Sequence, residues 1–173
     1  MALGHSTRPL DELVALLQAH GVKTLADVRK IPRSRHNPQF NPENLKPALA
    51  AARIRYVAVS ELAGRRSGGN PQGPNAAWRN RSFLAYADHL QTDEAKRGLE
   101  KLRKLAERGP VAMMCAEALP WRCHRSLIAD ALFANGVVVQ HLDSKTRAHP
   151  HRLTPFAERQ GRRVTYPARE EAR

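Results

Sequence analysis

Cysteine, aromatic residues, acidic residues and long apolar runs are all scarce in this chain. Among its 173 residues there are 2 cysteines, and aromatic side chains account for 5%. Two cysteines do not make the multi-bridge framework of a small secreted domain, so free thiols in a reducing cytoplasm are expected. With so few aromatics, none interleaved with basic residues along a strand, an RNA-binding sheet of stacking platforms is disfavoured. No apolar run approaches the ~20 residues of a membrane span. The opening MALGHSTRPL also lacks the apolar stretch of a secretory signal, so no membrane association is expected. Acidic residues are outnumbered 29 to 16 by Lys and Arg, a formal net charge of +13. The excess runs through the whole chain, 13 basic against 5 acidic residues through Tyr86 and 16 against 11 beyond it. A basic body of this kind favours phosphate-bearing or otherwise anionic partners, an anionic small molecule or a nucleic acid, and sets no oligomeric state.

What is present is the alternation of a single α/β domain. The length suits one domain with a proper core, and no internal repeat breaks it. Met1–Leu3 reads as the stub of a first strand. A helix follows, with Pro9, Asp11 and Glu12 in its first turn, Leu13, Leu16 and Leu17 at helical spacing, and His20-Gly21 as the stop. KTLADV (23–28) is a second strand, and residues 30–43 are a Pro/Asn/Arg-rich loop. A helix over about 44–52 leads to RIRYVAV, a third strand by its β-branched and aromatic content. Ser60–Ala77 is long for a connection and suits a lid. Trp78–Leu90 and Glu94–Glu107 carry apolar residues on one helical face, the second with an expected Glu100–Lys104 pair. PVAMMC is a fourth strand, Cys123–Ala134 a helix, and VVVQHL a fifth strand. Residues 143–173 form an extension packing on the 1–142 core, with RRVTY (162–166) as a short last strand. The expected fold is a Rossmann-like three-layer domain: a mostly parallel sheet of about five strands with helices on both faces.

Ligands in such sheets bind beyond the carboxyl ends of the strands. After the first strand comes GHST (4–7), after the second DVRKIPRSR (27–35), after the third SELAGRRSGG (60–69), and after the fourth CAEALPWRCHRS (115–126). The chemically versatile residues thus gather at one edge. Three stretches, GHSTRPLDELVALLQAHGVKTLADVRKIPRSRHNPQFN, CAEALPWRCHRSLIADAL and PHRLTPFA, run collinearly through most of the chain, and this pattern resembles the domain of unknown function 488 family. The resemblance implies a compact α/β domain with these loops brought together, and it supplies no reaction. It also draws attention to His151, Leu153 and Pro155 in the tail, as residues folding over the sheet edge.

Individual residues carry competing roles. Cys115 ends an apolar strand, where it is either a nucleophile facing the crevice or a small buried hydrophobe. C-x5-R phosphatase or rhodanese-like chemistry does not fit, because six residues, Pro120-Trp121 among them, separate Cys115 from Arg122. Cys123, at a helix start, would have its pKa lowered by free N–H groups. With Arg122, His124, Arg125 and Ser126 it reads as an anion site, against a plain capped helix with solvated arginines. His5 and Glu117 are acid/base candidates. Asp27 either pairs with Arg29 or orients His5 or Arg125. Arg29, Arg33 and Arg35 suit phosphate contact. A metal site is not expected, since C-x7-C lacks zinc spacing and Cys123 and His124, adjacent on a helix, would diverge. No motif calls for a cofactor. The leading expectation is an enzyme acting on a nucleotide, nucleic acid or other phosphate-bearing substrate at a Cys/His/Arg site. A non-catalytic nucleic-acid or anion-binding module is the alternative, and a metal-dependent or redox-sensing protein the third reading.

Overall fold

Apolar residues recur first at the period of a strand and then at that of a helix, and the backbone follows. The computed structural model describes residues 1–168; the end of the extension, 169–173, lies outside the described residues. The first half comprises β1 (Ala2–Gly4), α1 (Leu10–Ala19), β2 (Thr24–Asp27), α2 (Pro42–Ala51), β3 (Arg55–Ala58) and α3 (Arg81–His89). The second comprises α4 (Asp93–Glu107), β4 (Val111–Cys115), α5 (Arg125–Ala134), β5 (Gln140–Leu142), β6 (Ala148–Pro150), β7 (Glu158–Gln160) and β8 (Arg163–Thr165). Six strands form one sheet in the order β3-β2-β4-β1-β5-β6, parallel throughout except for the antiparallel edge strand β6. The sequence pattern anticipates five of these; the sixth, AHP, carries no β-branched or alternating signal. RRVTY does contain a strand, but β8 pairs with β7 in a separate hairpin.

Alternate residues of the central strands enter opposite cores, as pleating requires. Leu3, Leu25, Ala112 and Met114 meet Leu13, Leu16, Leu17, Leu45 and Leu49 of α1 and α2. Ala2, Ala26, Val111 and Met113 meet Tyr86, Leu102, Leu127 and Ile128 of α3, α4 and α5. The domain is therefore three-layered, with β1, β2 and most of β4 buried and β3 at an edge. Two local readings change. Glu100 pairs with Arg103 at 2.8 Å instead of Lys104. The expected lid is pinned to the body, because Asn75 Nδ2 donates to Asp88 and the Ala77 amide to Tyr166 O.

A buried polar network ties the segment after β5 to α5. Asp130, fully buried, accepts from His151 Nε2 (2.8 Å), the Thr154 amide and hydroxyl, and Tyr166 OH. His151 Nδ1 in turn accepts from His141 Nε2 at 3.0 Å. Burial above all, then His151, Arg125 and the N-terminal amine, lower the His141 pKa to about 4, with Asp143 opposing. Unfolded histidine titrates at about 6.5. The native state thus declines a proton that the unfolded chain accepts, so this contribution to stability is full above that value and declines as pH falls towards 4. His141→Gln keeps a donor for His151 and is expected to flatten the acid-side decline. Urea unfolding of both proteins across that interval measures it, and parallel declines would refute it.

Candidate functional site at the carboxyl ends of the sheet

β1 and β4 are neighbours whose outgoing chains cover opposite faces, β1 leading to α1 and β4 to α5. Such divergence opens a crevice at the strand ends. Here Arg125 fills it. Its guanidinium, 1% exposed, donates to the carbonyls of Glu117 and Ala118, and its Nε has no protein partner among the described residues. Burial lowers its pKa. Gly4 makes this fit: a Cβ there would run into the Glu117 carbonyl and lie 2.7 Å from Arg125 Nη1.

The reactive groups gather on the β2 side of that plug. Cys115 ends β4, and the chain returns through a 3₁₀ turn at Pro120–Arg122. Cys123 is extended (φ −131°, ψ 141°), His124 is the N-cap, and α5 begins only at Arg125. The expectation that Cys123 and His124 diverge is thereby overturned. They are not consecutive helical residues, and their side chains converge. His124 Nδ1 lies 3.8 Å from Cys115 Sγ and 3.7 Å from Cys123 Sγ, and the three donor atoms lie within 4.8 Å of one another. His124 Nε2 donates to Val28 O at 3.1 Å, which leaves Nδ1 with a lone pair towards the sulfurs. The two thiols share one environment unequally. The contact with Cys123 above all, helped by the Glu117 amide, lowers the Cys115 pKa against burial. The same contact and burial raise Cys123. Cys115 is therefore the more readily ionised of the two, and neither is in a disulfide.

The other candidate residues divide into neighbours and supports. His5 is buried against Phe40 (ring centroids 4.1 Å apart), with Nδ1 on Ser6 O and Nε2 3.4 Å from Arg29 Nη1. Its amide donates to Cys115 O, and burial lowers its pKa. Asp27 takes Arg29 in a 2.7 Å pair and accepts from Tyr56 OH, so it orients neither His5 nor Arg125. Burial first, then Asp27, raises the Tyr56 pKa. Arg29 also donates to Phe40 O. Two arginines expected to grip an anion, Arg29 and Arg125, thus spend their guanidiniums on the protein. Glu117 accepts from the Leu119 amide of its own loop, and Ser126 donates to Cys123 O as a helix-start bond. Arg33 pairs with Glu43 at 2.6 Å on the surface. Arg35 and Arg122 are exposed, and no side-chain ion pair engages them among the described residues.

Exposed apolar side chains also occur on the loops at this edge of the sheet. Trp121 is 69% exposed and Ile31 58%, and Leu119 is exposed too. Ile31 lies on the loop after β2 with Lys30 and Arg35, and Leu119 and Trp121 lie on the loop after β4 with Arg122. A tryptophan between Pro120 and Arg122 in a polar loop was the available signal. Gly64 and Val28 O, which seat His124, carry no sequence signal of their own.

No curated protein and no solved structure matches this chain. A family model does, that of the Domain of unknown function DUF488, over residues 9–132. This stretch runs from the start of α1 to within α5 and takes in Cys115, Cys123, His124 and Arg125, so the chain belongs to the DUF488 family.

Proposed function

We propose that this protein is an enzyme acting on a nucleotide-bearing substrate, a nucleotide or a single-stranded nucleic acid, with the Cys115–Cys123–His124 cluster as its reactive centre. One observation carries the reading: the cluster lies on the same loop as an exposed indole followed by an exposed arginine, Arg122, that no side-chain ion pair engages among the described residues. An aromatic face stacks on any base, and a neighbouring arginine answers its phosphates. The net charge of +13 adds attraction at longer range. Arg125 and the Asp27–Arg29 pair serve this site by shaping it, since their hydrogen-bonding capacity is spent within the protein.

The test uses a fluorescein-labelled single-stranded oligonucleotide, followed by anisotropy at several salt concentrations. Trp121→Ala and Arg122→Ala are each expected to weaken binding by about 1–3 kcal/mol, roughly 5- to 150-fold. Arg122→Ala should also reduce the salt slope by about one. Mass spectrometry of the oligonucleotide after incubation then separates catalysis from mere binding. Cys115→Ser should abolish any covalent change while leaving anisotropy intact. Unchanged binding in both rim variants would sink the proposal.

A further inference from the structure

We infer that Cys115, Cys123 and His124 form a three-ligand site for Zn²⁺, with the fourth position on the side that Cys115 and His124 leave partly exposed. It deepens the reading of this cluster as the reactive centre and does not depend on the nature of the substrate. Zn–S bonds of ~2.3 Å and Zn–N bonds of ~2.0–2.1 Å in a tetrahedron place sulfur and nitrogen about 3.6 Å apart. The two sulfurs lie 3.7 and 3.8 Å from Nδ1, so both are already near coordination spacing from the nitrogen, and all three donor atoms lie within 4.8 Å of one another. As hydrogen bonds the same contacts are poor, because one imidazole lone pair cannot be shared well by two thiols.

Three further features point the same way. The bond from His124 Nε2 to Val28 O is the outer contact that metal-bound histidines make, and it presents Nδ1 as the donor atom. The ring is closely packed: Gly64 lies so near that a Cβ there would come within 2.6 Å of its Cε1 and Nδ1, and Tyr86 packs edge-on at 4.8 Å. Tyr86 is itself held by a bond from its hydroxyl to Leu62 O. Finally, Cys115 and His124 are half-buried while Cys123 is buried. The cluster is therefore covered on one side and open on the other, as a catalytic site with three protein ligands requires. Both C-x7-C spacing and adjacent Cys-His look wrong for zinc in one dimension. The return of the chain through the 3₁₀ turn makes them right in three.

Loading forms two zinc–sulfur bonds and one zinc–nitrogen bond. The thiol protons leave to solvent, and no oxidant or reductant takes part. The ion held there would polarise a bound water or a phosphoryl oxygen, the chemistry the proposed substrate needs.

The experiment dialyses full-length protein against ZnCl₂ and measures bound zinc by elemental analysis, expecting one ion per chain. CoCl₂ in its place should show a sulfur-to-cobalt charge-transfer band and the intense visible bands of a tetrahedral site. Cys115→Ser, Cys123→Ser and His124→Ala should each weaken zinc binding by at least the roughly 100-fold that loss of an outer contact can cost. Because a ligand variant can misfold, the unmodified protein supplies a second readout: zinc should protect both thiols from iodoacetamide. Absence of stoichiometric zinc together with unprotected thiols in folded wild-type protein overturns the inference. Oligonucleotide binding through Trp121 and Arg122 needs no metal. Its loss with zinc retained would sink the proposed function alone, and the reverse would sink the zinc site alone.

Discussion

Asp130→Ala is expected to destabilise the protein by about 3–5 kcal/mol, the cost of removing one member of a buried charged network. For a domain of this size that is a fall in Tm of roughly 10 °C. The carboxylate is fully buried in α5 and is the shared acceptor for His151, Thr154 and Tyr166. Alanine would strand four donors at once, and each unsatisfied buried group costs about 1–3 kcal/mol. Asp130→Asn should be milder. Its Oδ1 still accepts from His151 and the Thr154 amide, and the Thr154 and Tyr166 hydroxyls can turn to accept from its amide. Urea unfolding gives the size of the effect. Limited proteolysis gives its place, with cleavage expected after Leu142, where the segment anchored by this network begins. A value for Asp130→Ala within about 0.5 kcal/mol of wild type, the range of ordinary surface substitutions, would show that the network does not hold that segment.

Gly4→Ala should cost on the order of 3 kcal/mol, at the upper end of what overpacking does, and it should also disable the reactive centre. Gly4 is not needed for backbone freedom, since it is paired in β1 opposite Cys115. It is needed for space. The added methyl would overlap the Glu117 carbonyl, a backbone atom that cannot rotate away as a flexible side chain can. Relief requires moving the loop after β4, which Arg125 grips at two carbonyls and which carries Cys115 at one end and Cys123 at the other. Stability and thiol chemistry should therefore fall together. Iodoacetamide labelling should become faster at the buried Cys123 as the loop opens. Wild-type labelling rates in a variant of unchanged stability would contradict this account of the site.

The layering of the domain was legible in the chain because it rests on local patterns. Leu13, Leu16 and Leu17 repeat at helical spacing, PVAMMC is a compact apolar run, and the alternation of the two leaves little besides a parallel sheet. For the same reason the reactive residues could be assigned to one edge: whatever follows a parallel strand must emerge at its carboxyl end. Family membership follows from sequence too, through the match over residues 9–132.

Pairing among residues far apart in the chain was not legible, and the site depends on it. An arginine next to a candidate nucleophile reads as an anion grip. Only the fold shows Arg125 turned inwards to carbonyls and Arg29 taken by Asp27. Asp130 lies among Leu127, Ile128 and Leu132 as one charge on an apolar face, and its partners arrive from 21 to 36 positions away. Cys123 and His124 read as helical in the sequence because their neighbours favour a helix. The chain enters α5 two residues later, and that delay turns both side chains onto Cys115. Local propensity thus determined the layers and the edge at which the chemistry collects. Long-range packing decided which of those residues meet, because two atoms brought together by a crossover of 96 positions, as His124 and Val28 are, leave no periodicity in the sequence between them.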